Sequence, residues 1–254
     1  QFALLYQPVV ALETALPAGP QALTRSRLAG FEAQPRWPHL ERGMIAPARF
    51  IPLAERTGRI VALDRWAIAA AVKQTAGWSG SGWNGWVSIN LSAASLHDAG
   101  LAHYLVDCLQ QNGVVPSRIV VEITEDDALR DITITQRVLG ELKDAGVVIA
   151  LDNFGVGHSS LAHLKRLPID LLKLDQSFVS EICLDPGFEQ FVDLMIAMAH
   201  RVGAKAVAEG VEFEDQLEWL RTAGCDLVQG TLLGEAEPAE ALEPVSWTDR
   251  PQPD

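Results

Sequence analysis

The chain has 254 residues, 48% of them hydrophobic, and a formal net charge of −13. That length and apolar content suit one large α/β domain with a full core, and no apolar run is long enough to cross a bilayer. The negative charge argues against a surface that wraps a nucleic-acid polymer or lies on anionic lipid, both of which need clustered Lys and Arg. A small anionic ligand remains compatible if divalent cations stand between it and the carboxylates.

Cys108, Cys183 and Cys225 are odd in number and form no CxxC. They read as reduced, buried thiols of a cytoplasmic protein. The sequence begins at Gln1 without a Met, and no charged-then-apolar leader precedes Phe2, so the chain is expected to be a domain excised from a longer protein whose full length could be membrane-tethered.

Taken in order, Phe2 to Val10 is strand-like, Ala11 to Arg25 reads as a hairpin-like connection with Gly19 between Pro17 and Pro20, and Leu28 to Ala33 is a second strand leading into Arg36 and Trp37. Pro47 to Arg56 and Ile60 to Ala76 have helical spacing, and a Trp- and Gly-rich loop from Gly77 feeds a strand at Trp86 to Leu91. Alternation then becomes regular: helix Leu101 to Gln111, strand Arg118 to Ile123, helix Ile132 to Ala145, strand Val147 to Leu151. It continues through a helical turn at Leu161 to Arg166, strand Leu171 to Leu174, helices Gln176 to Ile182 and Phe188 to Val202, strand Lys205 to Ala208, helix Asp215 to Ala223 and strand Asp226 to Gln229. This spacing implies a parallel sheet with right-handed crossovers, and roughly eight strands at this length suit a closed β/α barrel. The barrel is expected over residues 1–237, with 238–254 as a C-terminal tail.

The stretch VVIALDNFGVGHSSL, Val147 to Leu161, gives the reading its centre. A buried β run stops at Asp152, Gly155 and Gly157 allow a tight turn, and Ser159 and Ser160 precede the next apolar segment as helix caps. Taken alone, Asp152 reads equally well as a capping residue. The arrangement recurs, however: polar groups end nearly every strand, at Glu32, Asn90, Glu122 with Glu125, Asp152 with Asn153, Lys173 with Asp175, Glu209 and Gln229. In a barrel those ends share one mouth, where crowded carboxylates repel unless cations compensate them. An all-oxygen set without His or Cys points to Mg²⁺ or Mn²⁺ rather than zinc. In LLKLD, alternation turns Lys173 and Asp175 to one face, and a Lys facing inward beside acids can orient water or offset charge on a phosphate. The combination suggests metal-assisted phosphodiester hydrolysis.

The motifs LYQPVV, GFEAQPRW, FIPLAERTG, VSINLS, VEITE, LDNFGVGHSSL, LLKLDQSFV, VAEGVE and GCDLVQG resemble, in order and over almost the whole chain, those of the EAL domain family, barrels that bind cyclic di-GMP and, when active, open it to linear pGpG. The resemblance implies a modified TIM-like (β/α)8 barrel with one antiparallel strand. It implies that Glu32, Asn90, Glu122 and Asp152 hold a first metal, with Asn153 and, through water, Glu209 helping Asp152 at a second. Lys173 matches the catalytic lysine, with Glu209 and Gln229 beside it. Arg36 falls at the phosphate-binding arginine and Gln7 near a guanine, and Gln34, Asp175, Glu212 and Gly230 are expected around the ligand. Glu125 with Phe154, Gly155, Gly157 and Ser159 would support the loop after Asp152. Family members often form homodimers and sit behind sensory or GGDEF-type domains.

The sequence departs from the family in places that bear on activity. Asn153 stands where a second Asp is usual, keeping an acceptor oxygen without the charge. Gln34 replaces the Leu of the EAL triplet, and Pro35 stiffens the chain before Arg36. Val156 and His158 replace Thr and Tyr in the loop, and the tail reads QGTLLGEAEP in place of an aromatic followed by Arg-Pro. His158 reads as a surface or packing residue rather than a proton shuttle, and Trp37, Trp66, Trp78 and Trp86 as core rather than a base-stacking platform. Two functions follow: an active metal-dependent phosphodiesterase, weakened at its second metal, or a catalytically impaired domain that senses cyclic di-GMP.

Overall fold

The computed structural model describes residues 2–12, 28–156 and 164–242. The strands are β1 (Ala3–Ala11), β2 (Leu28–His39), β3 (Gly43–Ile45), β4 (Trp86–Asn90), β5 (Ile119–Thr124), β6 (Val148–Phe154), β7 (Leu171–Leu174), β8 (Lys205–Ala208), β9 (Leu227–Gln229) and β10 (Glu237–Pro238). The helices are α1 (Pro47–Arg56), α2 (Ile60–Gly80), α3 (Ala93–Leu96), α4 (Leu101–Asn112), α5 (Glu125–Arg130), α6 (Ile132–Asp144), α7 (Gln176–Val179), α8 (Pro186–Arg201) and α9 (Glu214–Thr222). Their boundaries have local causes. Pro186 opens α8 behind the Asp185 cap, Asp131 caps α6, and Gly113 ends α4 in the left-handed region.

Strands β2, β4, β5, β6, β7, β8 and β9 pair in parallel, and β1 closes the ring by pairing antiparallel with both β2 and β9. The result is an eight-stranded mixed barrel, the expected TIM-like form with one reversed strand. The short β3 extends the tip of β2, and β10 adds to β1.

Two apolar layers make the core. The larger lies between strands and helices and includes Phe31, Ile89, Ile123, Leu151, Leu172 and Leu174. The smaller fills the barrel: Val9, Val120, Ala150, Leu171, Val207 and Leu227 pack together inside it. Because side chains alternate along a strand, the next inward position toward the mouth lies two residues on. From that inner layer it falls on Gln7, Glu122, Asp152, Lys173, Glu209 and Gln229. The plug that stabilises the barrel therefore also sets the register of its polar mouth.

Several expectations need correction. Strand β6 does not stop at Asp152 but runs to Phe154, with a register irregularity between Leu151 and Phe154 and Asn153 at φ 55°. This bulge with a left-handed residue breaks strict alternation, and Asn tolerates that conformation better than most residues. Strand β2 continues past Ala33, so Gln34 and Arg36 are strand residues. Cys183 is exposed, whereas Cys108 and Cys225 are buried and all three are free. Trp78 is core, but Trp37, Trp66 and Trp86 are only partly buried. Trp37 and Trp66 pack with Phe2 and Phe50 in a separate aromatic cluster beside α1 and α2. Most of the Ala11–Arg25 connection, the start of the Leu161–Arg166 turn, Gly157, His158, Ser159, Ser160 and the tail from 243 lie outside the described residues. No helix among the described residues is long and apolar enough to cross a membrane.

Candidate active site

Lys173 is the hub. The residue is 2% exposed, and its ammonium lies 2.6 Å from Glu122 Oε2 and 2.6 Å from Glu209 Oε1, with Asp152 Oδ1 at 3.8 Å and Glu32 Oε2 at 3.9 Å. Four carboxylates, on or just after four different strands, thus face one cation. Burial alone would lower the Lys173 pKa, but Glu122, Glu209, Glu32 and Asp152 hold it well above its ordinary value. Burial pushes the Glu122 carboxyl up to about 7 and Glu209 up to about 8, with neighbouring carboxylates adding to the rise against the pull of Lys173. Glu32 goes the other way: burial would raise it, but Lys173 and the amides of Gln229, Gln34 and Asn90 outweigh that and hold it below the usual range. A site this electronegative favours added positive charge, whether protons or metal cations.

Amides surround Glu32. Asn90 Nδ2 donates to its Oε1 at 2.9 Å, and Gln229 Nε2 (2.6 Å) and Gln34 Nε2 (3.2 Å) donate to its Oε2. Gln7 Oε1 accepts from both Gln34 and Gln229, and Gln7 Nε2 donates to the Gly234 carbonyl. A cleft of about 310 Å³ opens above, lined among others by Gln7, Glu32, Gln34, Asp152, Asn153, Asp175, Glu209, Glu212, Gln229 and Gly230. The β6 bulge is what lets the consecutive residues Asp152 and Asn153 both line it.

The remaining expected residues lie around this cleft. Arg36 stands beside it, donating to Gln34 Oε1 at 2.7 Å. Glu125 Oε2 accepts from Gly155 N at 3.0 Å, which ties the loop after β6 to the start of α5. Gly155 has φ 97°, and a Cβ there would meet Met195 and Phe178. Phe154 is buried against the helices, away from the cleft. Asp175 also caps α7 through Ser177 N, so the capping role holds alongside its place in the lining.

The donor chemistry suits a hard divalent cation: the side chains around Lys173 offer oxygen, and Gln229 Oε1 is buried without a hydrogen-bond partner. Among the described residues no three Asp, Glu, His or Cys side chains form a finished coordination sphere. The carboxylates instead turn onto Lys173, as an ammonium demands when it is the nearest cation.

Gln176, Gly210 and Thr231 also line the cleft and were not singled out from sequence. Their only signal is adjacency to strand ends. Asp64 on α2 was missed as well. Its Oδ2 accepts from Ser92 N (3.0 Å), Ser92 Oγ (2.6 Å) and Ser95 Oγ (2.6 Å), bracing the turn that follows Asn90.

Fold and site together define a β/α barrel with an acidic, lysine-centred mouth. The EAL domain family model matches residues 1–236, and the chain belongs to that family. It is 40% identical over 243 residues to the bifunctional diguanylate cyclase/cyclic di-GMP phosphodiesterase MucR of Pseudomonas aeruginosa, covering 95% of this chain and 34% of that protein. It is 37% identical to the cyclic di-GMP phosphodiesterase NbdA of the same organism, over 96% of this chain and 30% of that one. The chain thus spans about a third of these curated relatives' length. Among solved structures, the PaMucR phosphodiesterase in complex with c-di-GMP superposes with a TM-score of 0.86 at 38% identity, covering 95% of this chain and 94% of that one. The FimX EAL domain of Pseudomonas aeruginosa bound to c-di-GMP gives 0.81 at 25% identity, covering 93% and 90%.

Proposed function

We propose that this domain is a metal-dependent phosphodiesterase that opens cyclic di-GMP to linear pGpG. The observation that carries the reading is the convergence of Glu32, Glu122, Asp152 and Glu209 on buried Lys173 beneath a polar cleft. Family membership supports this substrate class, since the relatives MucR and NbdA are named for this activity.

Glu32, Asn90, Glu122 and Asp152 would hold one Mg²⁺ or Mn²⁺, and Asp152, Asn153 and Glu209 a second. Bound there, divalent ions supply Lewis-acid polarisation of the scissile phosphate and make the attacking water more acidic. Lys173 orients that water and offsets charge on the phosphate. Arg36 holds a phosphate oxygen, Gln7 faces a base, Gln229 steadies Glu32, and Glu125 keeps the loop after β6 in place through Gly155.

A second reading, a domain that binds cyclic di-GMP without cutting it, draws on Asn153, which lines the cleft without a charge. Purified protein with Mg²⁺ or Mn²⁺ and cyclic di-GMP is expected to yield pGpG, and Asn153→Asp to raise turnover at limiting metal. Tight binding without product in both proteins would favour the receptor. Absence of binding would remove both readings.

A further inference from the structure

Gln34 stands where the family has an apolar residue, and the structure gives that change a place in the site. Glu32, Gln34 and Arg36 are alternate residues of β2 and share the face turned to the mouth. Chemistry fixes the Gln34 amide orientation. Arg36 can only donate, so the oxygen must face its Nη2 at 2.7 Å. The nitrogen then faces two acceptors, Gln7 Oε1 at 3.0 Å and Glu32 Oε2 at 3.2 Å. Among the described residues Arg36 makes one other hydrogen bond, to the Pro35 carbonyl at 3.1 Å, and none to a carboxylate. Gln34 is therefore the side chain that ties this guanidinium to the cleft wall.

We propose that Gln34 is a positioning residue that acts through Arg36, presenting its guanidinium to a phosphate of the bound dinucleotide. This rests on the cyclic di-GMP reading above. A Leu at 34 fills similar space but offers no acceptor, which leaves a long, flexible side chain to be ordered by the ligand at the moment of binding.

A double-mutant cycle on dinucleotide affinity tests this, read by calorimetry with Mg²⁺ in a Lys173→Ala background, where turnover is slow and affinity is expected to be kept. Gln34→Leu is expected to weaken cyclic di-GMP binding roughly tenfold when Arg36 is present, and by less than about twofold in an Arg36→Met background. Gln34→Asn keeps an amide acceptor and donor and is expected to retain more affinity than Gln34→Leu. Equal losses from Gln34→Leu in both backgrounds would mean that residue 34 touches the ligand directly or only supports the fold, and would overturn the proposal. No loss in either background would overturn it too. Wild-type protein that neither binds nor cuts cyclic di-GMP would show that the functional reading itself had failed.

Discussion

Lys173 reaches its position because strand alternation leaves it no other: Leu172 and Leu174 belong to the layer under the helices, so Lys173 must face the barrel axis. An ammonium taken out of water costs several kcal/mol unless well paired, and two carboxylates at 2.6 Å provide that pairing. In the proposed reaction, the same geometry makes it the group best placed to act on a phosphate and its attacking water. Lys173→Ala is expected to lower turnover of cyclic di-GMP by about 10² or more, while ligand affinity changes far less. Steady-state kinetics beside equilibrium binding would show the split, and equal losses in both would count against the role. Lys173 was legible in the sequence because a charged residue within an apolar strand has few bland explanations. The orientation of Gln34 was not, because it depends on Arg36 and Gln7, partners that lie along and across strands.

At the scale of the element, the junctions matter more than the strands. The β6 bulge was invisible to pattern reading because an apolar run followed by an acid looks the same whether the strand ends or kinks. Only the left-handed Asn153 distinguishes the two, by bringing consecutive residues onto one face. The turn after β4 has a comparable hidden brace in Asp64, which receives three hydrogen bonds from Ser92 and Ser95 and so joins α2 to the strand end carrying Asn90. Sequence spacing gave no hint, since the partners lie about thirty residues apart on different elements. Losing these bonds is expected to cost about 2–3 kcal/mol in Asp64→Ala, measured by urea unfolding.

Burial raises the Asp64 pKa despite those donors, with Asp127 adding to the rise. The folded state then holds its proton more tightly than the unfolded chain does. Its contribution is fully present below the unfolded pKa, near 4, and is lost as pH climbs through the raised folded value. The stability difference between wild type and Asp64→Asn should therefore shift against wild type over that climb. A pH-independent difference would contradict the assignment.

Across the whole molecule, a formal charge of −13 and the proposed doubly anionic ligand conflict until the site is viewed as a gathering of charge. The barrel closes by reversing β1 between β2 and β9, so residues as far apart in sequence as Gln7 and Gln229 meet at 3.1 Å. Regular β/α alternation revealed the barrel from sequence, and the polar residues ending its strands marked the mouth. The pairing of these carboxylates with Lys173 required coordinates, because it depends on distances between side chains of different strands. The most direct measurement is Mn²⁺ anomalous diffraction from crystals grown with cyclic di-GMP. Anomalous peaks within coordination distance of Glu32, Glu122 and Asp152, beside the dinucleotide phosphate, are the expected result. Saturating Mn²⁺ with no peak among those three carboxylates, or a ligand seated elsewhere, would contradict the account.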